Sequence, residues 1–190
     1  SCTEGMTTTV LFLIQGRIVM KRIWTTTFLL GCLAVAQPGF AVEVISPTGI
    51  TLDASSEFFP IGNLTNNSGL SGAPTSANLQ TITHAGSNGG NAWVTDAFFP
   101  DYYTGGGPVP VVTLDLGGTY ALTNALTWNY SVPGNATRTI TAEFSTTGTG
   151  GTFSNPVTFE VGQPFSSAQS ASRGTPQLAK AVLVTIVANL

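Results

Sequence analysis

The segment RTITAEFS, Arg138–Ser145, sets Ile140, Ala142 and Phe144 against Thr139, Thr141 and Glu143 in strict alternation. A period of two sends successive side chains to opposite faces of a strand, and it does not match a helix, whose apolar stripe repeats every 3.6 residues. PVTFEVG, Pro156–Gly162, repeats the pattern with Val157, Phe159 and Val161. Further strands are expected in VEVISP and ITLDAS near the start of the domain. Others are expected in VPVVTLDLG (Val109–Gly117), LTNALTWNY (Leu122–Tyr130) and KAVLVTIVANL (Lys180–Leu190). Clusters of Gly, Pro and Asn separate them: SNGGN, TGGGP, VPGN and TGTGG. No stretch reads as a helix. Short strands punctuated in this way predict an all-β antiparallel sandwich or barrel. Leu64 to Pro110 is the exception, a long irregular segment of a kind that is more often functional than idle.

The domain organisation follows from one N-terminal run. MKRIWTTTFLLGCLAVAQPGFA, Met20–Ala41, carries Lys21 and Arg22, then an apolar stretch from Phe28 to Ala36, then small residues at Gly39 and Ala41. These are the three parts of a secretory signal peptide, so residues 42–190 are read as the mature domain. Residues 1–19 are read as an over-extended or fragment leader outside the fold. LLGC, Leu29–Cys32, gives a competing reading as a lipoprotein signal, against which Leu30 and the apolar run beyond Cys32 both count. The apolar stretch is too short to span a bilayer as a permanent helix, and no later segment does better. The chain is therefore expected to be secreted or displayed at a cell surface, with no integral membrane segment in its mature part.

Both cysteines, Cys2 and Cys32, precede residue 42. Disulfides, Cys-ligated zinc and Cys nucleophiles are thereby excluded from the mature domain, which must be held by its core alone. From residue 42 onward eight acids face only Arg138, Arg173 and Lys180. Nucleic acid and anionic membrane surfaces make poor partners for such a face, because phosphate binding needs a basic one.

The order ASSEF (Ala54–Phe58), NLTNNSGLSG (Asn63–Gly72), Thr83-His84, NAWVT (Asn91–Thr95), VTLDLGGTYALTNALTWNY (Val112–Tyr130), Arg138 and AEFSTTGTGGTF (Ala142–Phe153) resembles a discoidin-type domain, also called the coagulation factor 5/8 C-terminal domain. It is similar in particular to secreted bacterial versions. The resemblance spans nearly all of residues 42–190 and is most specific at LDLGGTYALTNALTWNY. It implies an antiparallel jelly roll of the galactose-binding-like group that binds glycans, or in some members phospholipid or protein, through loops at one end. It also implies a structural calcium ion, for which Asn66, Ser68 and Asn91 stand at the matching positions. Many members carry an acid where this chain has Asn66, and neutral amides hold calcium more weakly than carboxylates. VLVTIVANL resembles the penultimate strand of the family, so a closing strand is expected to be lost through C-terminal truncation, leaving the first strand without its partner. A surface anchor is expected beyond Leu190.

The candidate ligand-binding residues are His84, Asn88, Trp93, Tyr102 and Tyr103. Trp93 reads either as a core aromatic or as a stacking face, and Tyr102 and Tyr103, with Phe98 and Phe99, either as an aromatic platform or as a plug under a long loop. His84 is the chain's one histidine. It reads as a structural hydrogen-bonder or as a polar finger toward a ligand. Asn129 is expected to tie the adjoining loop, and Asp115 to bond turn amides at Gly117–Gly118 or to pair with Arg138.

Catalysis finds no support in the residues. A glycosidase could be drawn around Asp96 and Asp101, but any acidic protein offers such pairs. There is no nucleophile elbow, no phosphate-cradling Gly-rich loop and no metalloprotease helix. The expected function is a non-catalytic carbohydrate-binding module. The alternative is a structural or adhesive surface protein in which the domain is a spacer and its aromatics are buried.

Overall fold

The computed structural model describes residues 8–15, 42–53, 57–85, 90–95, 109–129, 136–161 and 168–189, the first of these by its backbone. The described residues are built from antiparallel strands and one short 3-10 helix. In chain order the strands are β1 (Thr8–Gln15), β2 (Val42–Val44), β3 (Gly49–Asp53), β4 (Glu57–Phe59), β5 (Val94–Thr95), β6 (Val111–Asn129), β7 (Thr137–Ser145), β8 (Ser154–Glu160) and β9 (Gln169–Asn189). A seven-stranded sheet runs β2-β1-β6-β9-β7-β8, with β3 also paired to β6, while β4 and β5 form a separate two-stranded ribbon.

Alternation builds the core. In β7, Ile140, Ala142 and Phe144 are buried as their spacing predicts. In β6, Val112, Leu114 and Leu116 are buried while Val111, Thr113 and Asp115 are half-buried. Val182, Val184 and Ile186 of β9 pack in the same cluster, together with Phe159 of β8, Leu64 and Trp93. Each such side chain contributes roughly 1.5–3 kcal/mol when fully withdrawn from water. That burial is what orders the described residues, none of which is a cysteine.

Two strands are longer than their sequences suggest. VPVVTLDLG and LTNALTWNY read as separate strands around Gly117–Gly118, yet β6 runs through both. The extra residues are absorbed where the β6–β9 register shifts between Asp115 and Tyr120. Gly117 supplies the positive φ of 71° that this irregularity needs, and Asp115 Oδ1 accepts from Gly117 N at 2.9 Å. Asp115 thus bonds the turn amide as expected. Arg138 pairs instead with Glu160, at 3.7 Å on the exposed face. Likewise β9 begins at Gln169 and not near Lys180.

A third difference concerns β1. Thr8–Gln15, read as lying outside the fold, pairs antiparallel with β6 from Thr8↔Asn129 to Ile14↔Leu122, and with β2 from Leu13↔Val44 to Gln15↔Val42. The expectation that the first strand lacks a partner is corrected accordingly: β2 pairs with β1. VLFLI is a run of strand-favouring residues, and an unsatisfied ladder edge draws such a run into pairing. The signal-peptide reading of residues 20–41 falls outside the described residues.

Candidate functional site

Between β4 and β5 the chain forms an irregular cap, described over residues 60–85 and 90–93. The cap starts with the 3-10 helix Ile61–Leu64, which buries Leu64 in the core and leaves Asn63 buried beside it. Asn63 Nδ2 donates to Gly90 O at 2.6 Å and to Ala92 O at 3.0 Å, so one amide splices the two arms of the cap. Asn66 Nδ2 donates to Asn63 Oδ1 at 3.3 Å, and Asn66 Oδ1 accepts from Ser68 N at 2.8 Å. The turn-rich sequence NLTNNSG folds this way because Asn and Ser can bond neighbouring main chain and Asn67 tolerates its left-handed φ of 62°.

The arms meet again around Gly69. Ala85 N donates to Gly69 O at 2.8 Å, Ser71 N donates to Thr83 O at 2.9 Å, and Leu70 bridges His84. Gly69 has a φ of 75°, and a Cβ placed there would sit 2.6 Å from His84 Nε2 and 2.9 Å from Asn91 Nδ2. Gly69, His84 and Asn91 therefore form a close-packed trio that admits glycine alone at the first position. His84 is buried, and backbone bonds link it to Asn91 and Ser68. Burial lowers its pKa below the usual 6.5, and the two backbone bonds oppose that shift only in part. The ring is thus held mainly neutral at physiological pH.

Two tryptophans anchor the cap from below. Trp93 packs with Leu64 over Val112, Leu114, Val184 and Ile186. Trp128 of β6 packs with Ile82 and Leu126, with Leu70 and Leu79 at its margin. Next to it, Asn129 Nδ2 donates to Thr137 O at 2.7 Å and Asn129 Oδ1 accepts from Thr137 N at 3.0 Å. This reciprocal pair closes the β6–β7 connection, so Asn129 does tie the loop.

These positions sort the expected site residues. Trp93 is 1% exposed, which corrects its reading as a stacking face: the indole is spent in the core. His84, Asn66, Ser68 and Asn91 do come together in the cap. Asn88, Tyr102 and Tyr103 fall outside the described residues. Sequence reasoning expects a hydrogen-bond network of Asn63, Asn66, Asn67 and Ser68 in this loop, and Asn63 and Asn66 do bond within it; it missed Gly69, for which the signal available was its place in an uncharged run of turn formers.

Asn67 Oδ1 and Asn91 Oδ1 are buried and meet no donor among the described residues. Carbonyl oxygens in that state suit a ligand hydroxyl or a cation. For calcium the set fits poorly. Every side-chain oxygen in it is neutral, Asn66 Oδ1 is already taken by Ser68 N, and the described residues hold no group of three His, Cys, Asp or Glu that could hold a metal.

Neither a family model nor a curated protein matches the sequence. Among solved structures the chain is similar to one described as the X-ray structure of GH31 CBM32-2 bound to GalNAc, with a TM-score of 0.36 and 15% identity. The match covers 74% of this chain and 87% of that one.

Proposed function

We propose that the protein is a non-catalytic carbohydrate-binding module, secreted or displayed at a cell surface, with its strands in a jelly-roll arrangement and its ligand taken by the cap between β4 and β5. The buried amide oxygens of Asn67 and of Asn91, the latter packed with the neutral His84 around Gly69, carry this reading. Sugar hydroxyls donate to such acceptors without bringing charge, and a site built from uncharged amides suits a neutral ligand. Asn88, Tyr102 and Tyr103 are proposed to complete the contact surface. The cap is held by its own bonds through Asn63, Asn66 and Ser68 and not by calcium.

A glycan array probed with the protein, with and without calcium, tests the function. The expected result is binding to a neutral glycan in both conditions, lost in Asn91→Ala. Absence of any binder, or binding that Asn91→Ala leaves intact, overturns it. An unchanged melting temperature on adding EDTA supports a cap without calcium, and a fall of several degrees refutes it.

One observation favours a second reading. A structural or adhesive spacer requires Trp93, Tyr102 and Tyr103 to be buried, and Trp93, the one of these among the described residues, is withdrawn from solvent. An array with no binder, together with protease resistance of the cap, would select the spacer.

A further inference from the structure

The second half of β6 is covered on both of its faces. Leu122, Ala125, Leu126 and Trp128 are all buried, and they divide between two clusters. Leu122 and Ala125 belong to the main core, whereas Leu126 and Trp128 pack with Ile82. Along one edge this stretch pairs with β9, from Leu122↔Gln177 to Thr127↔Gln169. Along its other edge lies β1, and beyond β1 lies β2, whose Val44 packs against the cluster of Leu126 and Trp128. β1 therefore fills a slot one strand wide, with a main-chain bonding edge on either side and a core cluster on either face.

The register fixes what the slot accepts. Residues directly opposite in an antiparallel pair share a face of the sheet. Thr9↔Trp128, Leu11↔Leu126 and Leu13↔Val44 put positions 9, 11 and 13 on the face of the Ile82 cluster. Phe12↔Ala125 and Ile14↔Leu122 put positions 12 and 14 on the face of the main core. A strand between two apolar layers is selected for an unbroken apolar run, not for an alternating one. Val10–Ile14, VLFLI, is such a run, and neither it nor β6 from Leu122 to Asn129 carries a charge.

Removal of the expected signal peptide, which ends at Ala41, cuts the chain between β1 and β2. β1 is then held by its pairing alone and becomes exchangeable. We infer that the slot between β2 and β6 is an acceptor site for an extended strand of a partner polypeptide, antiparallel to β6, with five consecutive apolar residues in an uncharged segment. The main chain of that strand continues the ladders on both sides, as in strand addition at a sheet edge, and its side chains join both clusters. A charged side chain is excluded from its middle, because Ala125 and Leu126, opposite it, are buried among apolar residues. The inference rests on the export proposed above and is independent of the cap and its ligand.

The test uses the full chain with a protease site inserted within residues 16–41, folded and then cut, and a fluorescein-labelled peptide with the sequence of residues 8–15. Fluorescence anisotropy should show saturable binding to the cut protein and none to the uncut one, with the protein's own N-terminal fragment released as the peptide enters. In the peptide, Leu11→Lys and Phe12→Lys address opposite faces and should each weaken binding at least tenfold. Gln15→Lys, opposite Val42 alone, should leave it unchanged. No binding to the cut protein, equal binding to the uncut one, or a loss on only one of the two faces overturns the slot. Dimerisation of the cut protein without peptide overturns the assignment to a separate partner. N-terminal sequencing of the protein exported from a bacterial host tells the two premises apart. A start at Val42 without peptide binding overturns the slot and leaves export standing. An exported protein that keeps residues 8–15 overturns the exchange in the native chain, whatever the peptide does.

Discussion

The β6–β7–β9 core and the cap between β4 and β5 are held by different physics. In the core, Leu114, Ile140 and Val182 are fully buried and their contribution scales with area, whatever the direction of approach. In the cap, much of the order comes from single bonds of fixed direction: Asn63 to Gly90 and Ala92, Asn66 to Ser68, and the glycine contact at Gly69. The core tolerates a change of side chain if volume is kept. The cap tolerates a change only if the same atoms stay in place. A domain can thus keep its frame while its cap diversifies, which is how loops on rigid scaffolds acquire ligands.

Substitutions should separate the two. Ile140→Ala opens a void at a fully buried core position of β7 and is expected to cost about 2–5 kcal/mol in urea unfolding, with the whole transition shifted. Asn63→Ala takes the donor from the buried Ala92 carbonyl and the part-buried Gly90 carbonyl and should cost about 1–3 kcal/mol. That loss should appear first as faster amide exchange at Ser71 and Ala85 and only later in β7; simultaneous loss in both would merge the two regions into one cooperative unit. Gly69→Ala imposes a strained φ and a clash with His84, an expected loss of about 1–2 kcal/mol from the backbone alone, again read at Ala85.

Acidification should act on the cap alone. The folded pKa of His84 lies below its unfolded value, so the unfolded form binds the proton more readily. Stability is complete above about pH 6.5, the ordinary histidine value, and declines as pH falls below it. With the slower intrinsic exchange at low pH divided out, the protection of Ala85 should fall on acidification while that of Ile140 holds steady, and His84→Gln should flatten the dependence. The smallest effect is expected at the exposed Arg138–Glu160 pair, where Glu160→Gln should change stability by no more than about 0.5 kcal/mol.

The same division decides what could be read in the sequence. Ile140, Ala142 and Phe144 announce their burial because a strand's period is written in its residues. The continuity of β6 through Gly117 was not legible, since a bulge and a turn demand the same glycine and only the partner strand distinguishes them. Nor was the start of β9 at Gln169, where Ser170, Ala171 and Ser172 lie outside the expected strand yet find their ladder on β6. The uncharged run from Asn63 to Gly72 was legible as a loop rich in amides. That Asn63 would turn inward and Asn66 outward depends on Gly90 and Ala92, which lie far along the chain. Trp93 could be read either way, and its neighbours Leu64 and Ile186 settled it.

The pairing of β6 with β9 also governs how the chain comes to be folded. Val112 meets Val184, and everything between them, β7 and β8 included, must be made before that contact can close. Early hairpin formation is open to β7 and β8, which are near neighbours, but β6 has no such partner following it. Folding should therefore be slow and governed by a late long-range event. Until it occurs, the apolar edge of β6 is a sticky surface, and a holding chaperone would find its grip there.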